Sequence, residues 1–158
     1  MKFAADRTVG KLARWLRVLG YDTLFCNRTK DDEFLALANL GRVLLSRNTA
    51  LLGKTESNRF VLIEHNNPRK QLNQVLELLD LTPQPNNFFS RCAVCNGVLK
   101  VIPRHAVFGR VADHVWTAHE QFSECISCAK LYWPGSHLAL CRHEMQRHVA
   151  IKNSVAEK

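Results

Sequence analysis

The chain has 158 residues, 46% of them apolar, and a formal net charge of +8 from 22 basic and 14 acidic side chains. That length suits one ordinary domain or two small ones with a packed core, and no apolar run approaches the ~20 residues that span a bilayer. The positive charge is shared equally between the stretches before and after residue 90. It favours a polyanion such as nucleic acid, but solubility alone would also explain the total, so placement of the charge has to decide.

Met1-Lys2-Phe3-Ala4-Ala5-Asp6 reads as a short first strand ending at an acid, which comes too early for a secretory signal. A reducing, cytoplasmic setting is therefore expected, where CxxC pairs read as metal sites before disulfides. From Thr8 to Leu19 the residues Val9, Leu12, Trp15, Leu16 and Leu19 recur at helical spacing, and Gly20 supplies a stop. Tyr21 to Cys26 reads as a second strand. Asp31-Asp32-Glu33 opens a helix through Leu40, because first-turn acids complement the helix dipole. Arg42 to Ser46 is a buried strand, Thr49 to Lys54 a short helix, and Phe60 to Ile63 another buried strand. Asn67 and Pro68 then open an amphipathic helix carrying Leu72, Val75, Leu76 and Leu79.

The alternation of strand and helix predicts an α/β domain over residues 1–81, with a parallel sheet flanked by helices. Ligands of such sheets sit beyond the carboxyl ends of the strands. Asp6, Arg47 and Asn48 lie just past strand ends on that edge, and Asp31 and Asp32 stand at a helix entrance that can face it.

Leu81 to Asn87 is a linker by composition. A second lobe over 88–150 follows: a strand at Val98 to Ile102, a helical or irregular insertion over 104–119, and a strand at Lys130 to Trp133. A last helix capped by Ser136 holds Leu138, Cys141, Met145 and Val149. Cys92-Ala-Val-Cys95 and Cys125-Ile-Ser-Cys128 carry the clearest signal in this lobe. Two CxxC turns complete a tetrahedral Cys₄ site, the closed geometry of structural Zn²⁺. Such a metal contributes on the order of 10 kcal/mol to the folding of a lobe with little core of its own. A redox dithiol needs only one pair, and catalytic zinc needs an open position that four thiolates do not leave. His119 and His137 are possible substitute ligands, although their spacing does not demand it. His137 and His143 otherwise read as surface or packing residues, and Cys26 and Cys141 as small hydrophobes.

At about 100° per residue, Arg7, Lys11, Arg14 and Arg17 share roughly a third of the first helix's circumference. Like charges so placed repel by roughly a few tenths of a kcal/mol per pair. A phosphate-backbone track beginning beside Asp6 would offset that cost, whereas a solvated helix face is the plainer reading. Asp6, Asp31 and Asp32 together offer the hard oxygens that Mg²⁺ or Mn²⁺ prefer, though each alone passes for a cap or turn residue.

The run from Asp6 through Asp22, DRTVGKLARWLRVLGYD, resembles the opening signature of the Mut-seven C-terminal ribonuclease family. The similarity continues through Asp31-Asp32-Glu33, Arg42 to Asn48, Ser90 to Gly97 and Tyr132 to His137. That family belongs to the PIN-like nucleases and often carries a zinc ribbon behind the nuclease fold. The resemblance implies a PIN-like domain over 1–81, a Cys₄ zinc ribbon with a C-terminal helix over 88–150, and metal-dependent hydrolysis of RNA. Asp6 takes the position of the first metal-binding acid, and Asp31, with Asp32 or Glu33, matches the acids of the second helix. Arg47-Asn48 falls where the family usually has Arg-Asp. Asn48 keeps a carbonyl oxygen but loses a negative charge, which implies weaker metal binding and activity that drops or shifts toward Mn²⁺.

The expected catalytic set is therefore Asp6, Asp31, Asp32 and Asn48 with Mg²⁺ or Mn²⁺, activating water for attack on a phosphodiester. Arg7, Lys11, Arg14, Arg17 and Arg47 are expected to place the RNA backbone. Tyr132 or Trp133 either meets an unstacked base or packs in the ribbon. Two alternatives stand beside the enzyme: an RNA-binding module that kept the fold and lost catalysis through Asn48, and a zinc-ribbon adaptor that docks on protein or the ribosome. A PIN-type toxin fits less well, since such toxins usually lack a ribbon.

Overall fold

The computed structural model describes residues 1–55 and 59–135. The chain divides into two compact units, Met1–Asn96 and Gly97–Lys158. Strands β1 (Lys2–Asp6), β2 (Asp22–Cys26), β3 (Arg42–Ser46) and β4 (Phe60–Leu62) form a parallel sheet in the order β2-β1-β3-β4. Every pairing in it is parallel, with Ala5 level with both Phe25 and Leu45. Helices α1 (Gly10–Val18), α2 (Asp31–Ala36) and α3 (Pro68–Leu78) complete this α/β unit.

The two central strands are apolar on both faces, as a sheet covered on both sides requires. Phe3, Ala4, Ala5, Leu44 and Leu45 are all fully buried. On one side Ala4, Leu44 and Leu51 pack with Phe34 and Ala38 of the α2 region. On the other, α1 lies against α3 and buries Leu12 and Leu16, each such side chain stabilising the fold by about 1.5–3 kcal/mol. From β1 the chain crosses to β2 on one side and then returns to β3 on the other. The strand order thus reverses between β1 and β3, opening a crevice beyond their carboxyl ends. Asp6 and Ser46 end those two strands.

The ends of elements differ from the expected ones for local reasons. A 3-10 turn, Arg7–Val9, precedes α1, because Asp6 caps it through the Thr8 amide. Helix α2 stops at Ala36, and residues 37–41 continue in i→i−3 bonds up to Gly41, which is left-handed. Helix α3 begins as expected, with Asn67 accepting from the Arg69 and Lys70 amides and Pro68 in the first turn.

Residues 82–96 are not a loose tether. Gly20 has φ +90°, and a Cβ there would stand 2.3 Å from the Asn87 carbonyl oxygen. The glycine lets this segment close on the end of α1, where the Phe89 amide donates to the Val18 carbonyl at 2.8 Å.

In the second unit β5 (Leu99–Ile102), β6 (Phe122–Cys125) and β7 (Leu131–Tyr132) make an antiparallel sheet in that order. Leu99 lies opposite Cys125 and Ile102 opposite Phe122. The insertion holds a 3-10 turn, Arg104–Val107, and helix α4 (Asp113–Ala118). It folds on its own side chains. The Arg104 guanidinium lies 4.1 Å over the Trp116 ring and donates to the Trp116 carbonyl, and Phe108 meets that ring edge-on. Among the described residues no helix is long and apolar enough to cross a membrane. The expected last helix, with Ser136, Leu138, Cys141, Met145 and Val149, and the residues His137 and His143 lie outside the described residues.

Candidate active site and metal centre

The Sγ atoms of Cys92, Cys95, Cys125 and Cys128 all lie within 4.8 Å of one another. A tetrahedral zinc with 2.3 Å bonds needs its sulfurs about 3.8 Å apart, so the donor set fits this metal. Cys92 and Cys125 are buried, while Cys95 and Cys128 are exposed. Both turns share one backbone design. The residue after each second cysteine is left-handed, Asn96 at φ 72° and Ala129 at φ 55°. Its amide donates back to the first cysteine's carbonyl, at 3.0 Å from Asn96 to Cys92 and 2.9 Å from Ala129 to Cys125. The Cys95 amide also points at Cys92 Sγ, 3.4 Å away, as it would toward a thiolate. His119 takes no part in the group.

The first cysteine turn is built onto the α/β unit by buried polar contacts. Arg17 Nε donates to the Thr23 carbonyl at 2.8 Å, and its Nη1 donates to the carbonyls of Ala93 at 3.2 Å and Val94 at 2.7 Å. Asn96 accepts from the Thr23 amide and donates to Asp22, each at 2.9 Å. Asp22 also meets Arg42 at 2.9 Å and Arg91 at 3.8 Å. Burial works against ionising Asp22, but the bonds from Arg42 and Asn96 and the charges of Arg42 and Arg91 prevail, holding its carboxyl below the usual range.

Arg17, expected on the cationic face, is only 5% exposed and its guanidinium donates to three backbone carbonyls, while it still contributes to the lining of the cleft described below. Helical periodicity placed it with Lys11 and Arg14, but the chain's return at residues 93–94 covers that end of the face. Arg7, Lys11, Arg14 and Arg47 remain exposed.

At the carboxyl edge, Asp6 Oδ1 accepts from the Thr8 amide at 2.8 Å and from the Thr8 hydroxyl. Its Oδ2 accepts from the Ser46 hydroxyl at 2.6 Å. Ser46 in turn accepts from the Asn48 amide at 2.9 Å, and Thr8 from the Arg47 amide at 3.0 Å. Asn48 Oδ1 caps the next turn by accepting from the Ala50 amide at 3.1 Å. Asp31 and Asp32 are exposed and open α2, on the side where the β2–α2 connection leaves the same edge. Among the described residues the cysteines form the one converging group of metal-binding side chains, and Asp6, Asp31 and Asp32 do not make a second.

Beside this edge runs a cleft of about 620 Å³ within the first unit. Arg7, Lys11, Arg14, Arg17 and Arg47 line it together with Thr8, Gly10, Phe25, Asn66, Pro68 and Gln71, and no acidic side chain among the described residues does. Asp6 is outside the lining but bonds to Thr8, which is part of it. Trp133 is half-buried, two residues beyond the start of β7. Sequence reasoning missed Ser46 and Phe25. A hydroxyl ending the apolar run Val43-Leu44-Leu45 was the available signal for the first, and an aromatic one residue before a strand's end for the second.

No curated protein and no solved structure matches the chain. The family described as the Mut7-C RNAse domain matches over residues 1–145. A strand-end aspartate beside a cation-lined cleft and a Cys₄ centre accord with a match spanning all but the end of the chain, and the protein belongs to the Mut7-C RNAse domain family.

Proposed function

We propose that the protein is a metal-dependent ribonuclease whose nuclease unit hydrolyses RNA phosphodiesters at the carboxyl edge of the parallel sheet. The observation that carries this reading is the Asp6–Ser46 bond at the β1–β3 crevice, next to a cleft lined by cations and, among the described residues, by no acid. The donors at that edge are hard oxygens, from Asp6, Asp31, Asp32 and the Asn48 amide. They suit Mg²⁺ or Mn²⁺, ions that are held by one or two carboxylates and keep several waters. When bound, such an ion supplies a water of lowered pKa and neutralises charge on the scissile phosphate.

The chain's own part is to hold and orient. Ser46 and Thr8 fix both oxygens of Asp6; Arg7 follows Asp6 in the chain, and the backbone amide of Arg47 is tied to the Thr8 hydroxyl. Lys11 and Arg14 continue the positive track along α1, where sequence-independent phosphate contacts set the register of a strand. The Cys₄ centre serves as structural zinc, since four thiolates leave no open position.

Cleavage of labelled RNA in Mn²⁺ that disappears in Asp6→Asn is the expected result. Asparagine keeps the cap on the Thr8 amide but cannot accept the Ser46 hydroxyl through its amide nitrogen, so thermal melts are read beside activity, and loss of cleavage in a protein still folded at the assay temperature separates a lost metal ligand from a lost fold. Asn48 favours a second reading, an RNA-binding protein without catalysis. Salt-sensitive RNA binding with no cleavage in any divalent ion would establish that instead. Failure to bind RNA at low salt would leave an adaptor role for the ribbon.

A further inference from the structure

We propose that Phe25 is a stacking platform for one unpaired base, which makes single-stranded RNA the substrate of the cleft; the inference rests on the RNA reading above. Phe3 of β1 and Phe34 of α2 are sealed, at 0% and 2% exposed. Phe25 is 40% exposed although it sits in β2, level with the buried Ala5 and one residue from the Asp6 register. Its ring opens into the cleft shared with Arg7, Lys11 and Arg14.

The ring is also held in place. A Cβ on Gly10 would stand 2.9 Å from Phe25 Cε2 and Cζ, so the glycine at the start of α1 lets the aromatic edge approach the helix backbone. One side of Phe25 is thereby fixed, and the remaining exposure faces a space bounded by cations. An apolar ring among phosphate-binding cations suits a ligand with alternating anionic and flat apolar parts, which describes a nucleic acid strand. Bases in a duplex are already stacked on each other and offer no free face, so the matching ligand is unpaired.

The test uses the full-length zinc-loaded protein in the Asp6→Asn background, so that binding is read without cleavage. Fluorescence anisotropy compares a short unstructured oligoribonucleotide with its duplex, across a salt series, for Phe25, F25A, F25L and F25W. The single strand should bind better than the duplex. F25A and F25L should each weaken single-strand binding about tenfold, while F25W retains it. The salt slope should stay the same in all four, because no charge is removed. Leucine preserves the apolar cover on Gly10, so unchanged melting of F25L would exclude unfolding as the cause. Wild-type affinity in F25L, or equal binding of duplex and single strand, would overturn the inference while leaving the RNA reading standing. If neither RNA binds even the Phe25 protein at low salt, both fall together.

Discussion

The Ser46 hydroxyl donates to Asp6 Oδ2 at 2.6 Å and accepts from the Asn48 amide at 2.9 Å, so one side chain ties the ends of β1 and β3 to the loop that follows. Ser46 is fully buried, which leaves water little room to replace it. Ser46→Ala should therefore strand a part-buried amide and release one Asp6 oxygen. The expected loss is about 1–3 kcal/mol by urea unfolding. RNA cleavage should fall further than stability alone accounts for.

Arg17 and Arg14 share a helix yet should respond oppositely. Arg17→Ala leaves the Thr23, Ala93 and Val94 carbonyls without their charged donor. A destabilisation of about 3 kcal/mol or more is expected from denaturant titration. Arg14→Ala, at an exposed position, should change stability by about 0.5 kcal/mol or less. It should weaken RNA binding at all sequences and reduce the salt slope by about 1.

The depressed Asp22 carboxyl gives the fold an acid limb. A carboxylate whose folded pKa lies below its unfolded value contributes stability that is complete above the unfolded value. That contribution is lost as pH falls from about 4 through the folded value. Thermal melts of wild type should steepen their decline below about pH 4, and Asp22→Asn should flatten that limb while lowering stability at neutral pH.

The four cysteines should hold a single zinc, measurable as metal content near one per chain. Removing it should unfold the Gly97-onward unit, because structural zinc contributes on the order of 10 kcal/mol to a lobe of this size. Binding deprotonates the thiols, so zinc affinity should fall as pH is lowered. A Cys92→Ser protein that kept full zinc affinity would contradict the assignment.

Asn48→Asp places a carboxylate where the family resemblance implies one. Aspartate also accepts the Ala50 amide bond, so the melting temperature should hold. Added negative charge beside Asp6 should raise divalent-ion affinity and cleavage by about tenfold. Identical metal dependence in the two proteins would remove residue 48 from the metal site.

Much of this was legible in the residues. The apolar runs of β3 and β4, the Asn67-Pro68 start of α3 and the paired CxxC turns are local signals, and the structure follows them. What could not be read is non-local. Nothing in the α1 sequence distinguishes Arg17 from Arg14; only the return of residues 93–94 does so. Strand β6, Phe122–Cys125, was hidden because four residues, Phe-Ser-Glu-Cys, give too short an alternation. The Asp6–Ser46 bond depends on register between strands 40 residues apart in sequence, which no periodicity encodes.

The docking of residues 82–96 onto α1 bears on how modular this protein is. A shortened chain ending at Leu81 would look complete by composition, yet it would forfeit the acceptors of a sealed guanidinium and expose the seam at Gly20. Excision at the proline-containing stretch should thus give an insoluble fragment, and a boundary placed after Asn96 should not.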